Sequence, residues 1–74
     1  MGLGMDMKRD ELLEDRAAFI AGEIGGAVVE LIIAGSKIER DAIVERLEAK
    51  RKSVGNMIHK GVLRDAAEFV RKGR

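Results

Sequence analysis

Apolar residues recur at Leu13, Ala17, Ile20, Ile24, Ala27, Leu31 and Ala34. Spacings of four and three place them on one face of an α-helix. The pattern predicts a first helix from near Asp10 to Ala34, closed by Gly35 as a left-handed C-terminal residue. Asp10, Glu11, Glu14 and Asp15 fall in its first turns, where negative charge suits the positive end of the helix dipole. Gly22, Gly25 and Gly26 lie inside the same pattern. Each interior glycine costs a helix about 1 kcal/mol relative to alanine, so three together call for a reason. Ala18, Gly22 and Gly26 stand at i, i+4, i+8, and Ala21 and Gly25 at i, i+4. A stripe without side chains lets another helix approach closely. The expected subunit contact is therefore Ala18, Ala21, Gly22, Gly25, Gly26, Val28 and Ile32.

The period continues after Gly35. Ser36 and Glu39 have the spacing of a capping box, which predicts a second helix over about residues 37–51. Ile38, Ala42, Ile43 and Leu47 form its inner face, with Val44 beside them. Asp41–Glu45 and Arg46–Lys50 are like-charge i, i+4 pairs that call for compensation from a neighbour. Ser53 to Asn56, with Gly55, marks the next break. A third helix is predicted over about residues 54–72, with Met57, Ile58, Val62, Ala66, Phe69 and Val70 as its stripe and Gly61 as a weak point or a second close approach. Residues 1–9 read as an N-terminal arm with no periodicity, ahead of a single helical domain over 10–72.

Composition narrows the picture. The chain has 74 residues, no Pro and no Cys, and Phe19 and Phe69 are its only aromatics. Abundant Ala, Leu, Ile, Glu, Lys and Arg argue for an all-α protein. A chain this short buries only about 60% of its unfolded surface, and such a core rarely supplies more than roughly 3–5 kcal/mol. Disulfides and thiolate metal sites are excluded, which leaves oligomerisation as the stabilising device. Glu23 and Glu30 interrupt the apolar run, so no membrane span is expected, and a cytoplasmic location is. Residues 1–35 carry a net charge of −4 and residues 36–74 a net charge of +5. That polarity either steers an anionic partner to the C-terminal half or lets the two halves meet within the fold or dimer.

The chemistry-bearing residues are few. Gly22 to Gly26 does not match a dinucleotide fingerprint, and no strand precedes it. Ser36 and Ser53 have no base oriented beside them, so no enzyme and no cofactor are expected. His59 reads first as an ordinary surface residue, and second as a proton sensor, since imidazole titrates near physiological pH. Candidate phosphate contacts are Lys50, Arg51, Lys52, Lys60, Arg64, Arg71 and Lys72, with Arg74 in the tail. No exposed aromatic is available to stack on bases, which disfavours single-stranded nucleic acid. Only Asn56, His59 and Lys60 are placed to read bases from the third helix, so any contact with duplex DNA is with backbone and shape.

From Ala21 to Val70, about fifty residues, the pattern resembles the YmgB/AriR family of small bacterial regulators of biofilm formation and acid resistance. The residues that carry the resemblance are Gly25, Ala27, Val28, Leu31 and Gly35, then Ile38, Ile43 and Leu47, then Val62, Leu63, Arg64, Glu68 and Val70. Gly22 and Gly26 depart from the pattern. The resemblance implies a helical homodimer similar in shape to the Hha nucleoid-associated proteins. It implies a regulator that either binds DNA without strict sequence preference or connects to a two-component or nucleoid-associated regulatory protein. The expected architecture is a three-helix protomer with a long first helix, paired into a homodimeric bundle.

Overall fold

The computed structural model describes residues 3–73, with side chains from Asp15 onward. Three helices make up this stretch, α1 over Leu3–Ala34, α2 over Arg40–Ser53 and α3 over Met57–Lys72, and no strand occurs among the described residues. The protein is all-α. α1 continues through Gly22, Gly25 and Gly26 without a break, and has no boundary at Asp10. The side chains of the expected arm over 1–9, and of Leu13, lie outside the described residues.

The end of α1 explains the start of α2. Gly35 takes φ 70, the left-handed region that favours glycine. Its N–H donates to the Ile32 carbonyl at 3.1 Å, and the Ser36 N–H donates to the Leu31 carbonyl at 2.9 Å. These two bonds form a Schellman motif. They occupy the Ser36 N–H, which a capping box would have required for the Glu39 carboxylate. The predicted box is therefore not formed. Residues 36–39 are non-helical, α2 begins at Arg40 rather than Lys37, and its N-cap Glu39 makes no side-chain cap. At the next junction Asn56 caps α3, its Oδ1 accepting from the Ile58 N–H at 2.8 Å and the His59 N–H at 3.0 Å. Asparagine is among the best N-cap residues, so this cap was available to sequence reasoning and was missed.

The core is small. Ala27 of α1, Leu47 of α2 and Leu63, Ala66 and Ala67 of α3 are buried together, with Ile20, Ile24, Ile43, Val44, Val54 and Val70 packed around them. Leu31 and Val62 are also buried. The inner stripe of α3 thus differs from the predicted one. Leu63 and Ala67 replace Met57, Ile58 and Phe69, which are 79%, 80% and 66% exposed. In α2 Leu47 alone is fully buried, and Ile38 lies exposed ahead of the helix. Alanine at 66 and 67 removes bulk where α3 meets its neighbours, and α2 and α3 form the most extensive helix pair.

Charged contacts follow the order of the helices along α1. Glu30 faces Arg46 at 3.8 Å, Glu23 faces Lys50 at 2.9 Å and His59 at 3.0 Å, and Arg16 meets Asp65. Partners advance through α2 and α3 as the position on α1 retreats toward its N-terminus. Glu30 and Glu23 also answer the Arg46–Lys50 repulsion within α2, since each basic side chain has an α1 carboxylate opposite it.

Candidate interaction surface

α1 has two apolar sides. One holds Ile20, Ile24, Ala27 and Leu31 and packs into the core. The other faces outward with Phe19, Val29, Ile32 and Ile33 exposed, Ile33 by 80%. Of the expected subunit-contact residues, Ala18, Ala21, Gly22, Gly25 and Ile32 are exposed, and Gly26 and Val28 are half-buried. A Cβ built at Gly22, Gly25 or Gly26 meets nothing within 4 Å, and the same holds at Gly61. No close approach within the protomer explains these glycines. Ala17 and Ala34, placed on the inner stripe by periodicity, are exposed.

Two hollows flank the outward side. Ala17, Ile20, Ala21, Ile24, Gly25 and Phe69 line an apolar groove of about 470 Å³ between α1 and α3. Phe19, Glu23, Asn56, Ile58, His59 and Val62 line a second, of about 310 Å³. The two aromatics, Phe19 and Phe69, therefore sit exposed one on each flank, contrary to the expectation that no aromatic would be exposed, so the argument against single-stranded nucleic acid from missing stacking residues does not hold. A helix with a second, uncovered apolar side is suited to a partner interface or a membrane. Asp15–Ala34 has 20 residues and a mean hydropathy of 1.9, so by length and composition it is able to cross a bilayer, contrary to the expectation from its interrupted run. Its two interior carboxylates, Glu23 and Glu30, are both paired with cations of the other helices.

Glu23 is the polar centre of the site. Lys50 Nζ donates to its Oε1 at 2.9 Å, and His59 Nε2 lies 3.0 Å from its Oε2. Burial pushes this carboxyl up, but the hydrogen bonds and charges of Lys50 and His59 outweigh it and hold Glu23 below its ordinary 4.5. One carboxylate thus ties the end of α2 and the start of α3 to the middle of α1. Glu23, Lys50 and His59 are separated by 27 and 36 residues from their partner, and no helical period links them.

The candidate phosphate contacts do not gather into one free basic patch. Lys50 is held by Glu23. Arg51 Nε lies 2.7 Å from Glu48 Oε2, close enough for charge attraction but not aligned for a hydrogen bond. Arg71 lies 3.5 Å from both Glu48 and Glu68, Lys72 is 3.1 Å from Glu68, and Arg64 is 3.5 Å from Asp65. Lys52 and Lys60 have no carboxylate partner among the described residues. The Glu68 carboxyl is held below its ordinary value by its hydrogen bond to Lys72, with Arg71 and Arg64 adding to the effect. Arg74 lies outside the described residues.

Comparison of the chain with protein-family models, with curated proteins and with solved structures returns no match.

Proposed function

We propose that this chain is a small non-enzymatic regulator that works as a homodimer and acts by binding another macromolecule. The observation that carries the reading is the outward side of α1, apolar along its length and uncovered in the protomer. Leaving Phe19, Val29, Ile32 and Ile33 in water forgoes about 25 cal/mol for each Å² of apolar surface, and a second copy removes that surface. The small core and the absence of cysteine support the same reading. The resemblance to the YmgB/AriR family suggests the setting, which is biofilm formation and acid or stress response in the cytoplasm.

Two partner classes remain from the sequence reading. A connector to a two-component or nucleoid-associated regulatory protein is the reading the ion pairs favour. Five of the seven candidate phosphate contacts already face carboxylates, so a phosphate backbone has to displace those partners. Duplex DNA bound without strict sequence preference is the second reading. Exposed ion pairs are each worth only about 0–1 kcal/mol, and Lys52 and Lys60 need no displacement. A pull-down from native lysate, with and without nuclease, separates the two. The connector reading expects a salt-tolerant protein complex that survives nuclease. DNA binding expects a complex lost with nuclease, and a duplex affinity whose salt dependence becomes shallower on replacing Lys50, Arg51 and Lys52 by Ala. Light scattering tests the dimer itself, and a monomer at micromolar concentration overturns it.

A further inference from the structure

The outward side of α1 has a direction. Ala18, Gly22, Gly25, Val29 and Ile32 follow one another at spacings of four, three, four and three, and all five are exposed. This is the spacing of a two-helix seam. The seam is uneven along its length. At its N-terminal seam positions, Ala18, Gly22 and Gly25, it carries nothing larger than a methyl group, with Phe19 beside them on one flank. Its C-terminal part carries branched side chains, at Val29 and Ile32 and at neighbouring Ile33. A Cβ at Gly22 or Gly25 meets nothing within 4 Å, so the bare part is open to an incoming ridge.

Two copies of such a surface fit more closely in one sense than in the other. Side by side in the same direction, bare backbone faces bare backbone at one end, while branched side chains face each other and set a wider spacing at the other. The bare end is then held apart by the spacing of the branched end, and close-packed interfaces do not tolerate the gap. In the opposite sense, about a centre between Gly25 and Gly26, Gly22 faces Val29 and Ala18 faces Ile33. Val29 and Ile33 then lie over bare positions of the other copy, and Phe19 stands level with Ile32.

Charge selects the same sense. α1 carries Asp10, Glu11, Glu14 and Asp15 toward its N-terminus, whereas the first charged residues after it, Lys37, Glu39, Arg40 and Asp41, sum to zero. Opposed α1 helices keep the acidic ends of the two copies apart, and their macrodipoles attract. Parallel helices stack like charges. Neither Glu23 nor Glu30 obstructs the seam, because ion pairs draw both toward α2 and α3. The seam from Ala18 to Ile33 is about 22 Å long at 1.5 Å per residue. A stable interface buries about 800 Å² on each partner, more than one helix edge supplies. The exposed Phe19 and Phe69 on the two flanks extend the apolar area beyond it.

We propose that two copies of this chain pair α1 against α1 head to tail, with the two-fold axis between Gly25 and Gly26. The proposal rests on the homodimer reading and adds its direction and register. The chain has no cysteine, so introduced thiols report cleanly. Ala18→Cys and Ile33→Cys chains are unfolded together, refolded as a mixture and oxidised, then run on a non-reducing gel. A disulfide requires Cα atoms within about 7 Å. In the head-to-tail pair each of positions 18 and 33 lies about 22 Å along the axis from its own copy, and each of positions 22 and 29 about 10 Å, both beyond that reach. The mixture is therefore expected to give a covalent dimer, and each variant alone none. Gly22→Cys with Val29→Cys is a second pair with the same expectation, for use if the first loses helicity by circular dichroism. Self-linking of Ala18→Cys overturns the proposal in favour of parallel helices. A dimer by light scattering with no link in either mixture overturns it while leaving the homodimer standing. A monomer by light scattering removes both readings, and a monomer that floats with phosphatidylcholine vesicles assigns the apolar side to a bilayer instead.

Discussion

α1 and α3 both carry apolar residues at helical spacing, but they use them differently. α3 has 16 residues and buries Val62, Leu63, Ala66 and Ala67. The 20 residues from Asp15 to Ala34 bury only Ala27 and Leu31. α3 is amphipathic in the ordinary way, with Lys60, Arg64, Glu68 and Arg71 on its more exposed sides and the core on the other. α1 has one apolar side for the core and another with nothing to cover it. The stripe of α3 therefore governs whether the protomer folds, and the outer side of α1 governs what the folded protomer meets. A hydrophobic period alone does not distinguish these roles, and the first test is to separate them by substitution.

Leu63→Ala is expected to have the largest effect. Leu63 has no exposed surface, and removing a buried leucine side chain costs about 2–5 kcal/mol, near the whole stability of a domain this size. Ile33→Ala removes a comparable volume from an 80% exposed position. It is expected to leave the unfolding midpoint of the dilute protein within about 0.5 kcal/mol of the parent, the usual range for surface substitutions. Its effect should appear in self-association. Urea unfolding at low and high protein concentration reads both quantities. Equal losses from the two substitutions at low concentration would erase the distinction between the helices.

Gly22→Leu comes next. Nothing lies within 4 Å of a Cβ at this position, so the protomer accommodates a side chain there. Removing an interior glycine also favours the helix, by up to about 1 kcal/mol for alanine. The variant should keep its helical circular dichroism and lose its dimer, with a dissociation constant raised at least about tenfold, or roughly 1.4 kcal/mol. An unchanged dimer by light scattering places the subunit contact elsewhere.

The contrast between the helices also marks what the sequence carried. Three helices, the break at Gly35 and the break before Asn56 follow from period and punctuation. Which apolar residues of α3 turn inward does not. Val62 and Leu63 are adjacent, as are Ala66 and Ala67, so the string supports two overlapping stripes. The choice depends on where Leu47 and Ala27 approach, which is tertiary information. The Ser36–Glu39 box had the right residues and failed because α1's own C-terminal motif uses the Ser36 N–H. For the candidate site, the small-residue stripe was legible because every member lies on one helix. The Glu23–Lys50–His59 cluster was not, since each member comes from a different helix. The reading of Lys50 and Arg71 as phosphate contacts likewise lacked the carboxylates that folding brings to them.

Capping gives a smaller effect that tests the two helix starts against each other. Asn56→Ala removes an acceptor shared by two backbone N–H groups and is expected to cost about 1 kcal/mol in urea unfolding. Ser36→Ala should change stability by only a few tenths, because Ser36 contributes a backbone N–H that alanine retains. A loss of about 1 kcal/mol at Ser36 would restore its hydroxyl as a cap.

The smallest expected effect is at Glu23, the residue that joins the two regions. Its carboxyl is depressed below 4.5 in the fold, because hydrogen bonds and charge from Lys50 and His59 overcome the effect of burial. A depressed carboxyl contributes stability above its unfolded value and loses it as pH falls through the folded one. Lys50 and His59 are about a third exposed, so solvent screening holds the contribution to a fraction of a kcal/mol. Glu23→Gln keeps the shape and removes the charge. Parent and variant should therefore differ at neutral pH, with the parent more stable, and converge as pH falls well below 4.5, where the native carboxyl is also neutral. Urea midpoints of both proteins across that range measure the difference. A gap that persists undiminished in acid assigns the contact to hydrogen-bond geometry rather than charge. A parent that gains on the variant in acid reverses the sign and removes the ion pairs as the link between α1 and the other two helices.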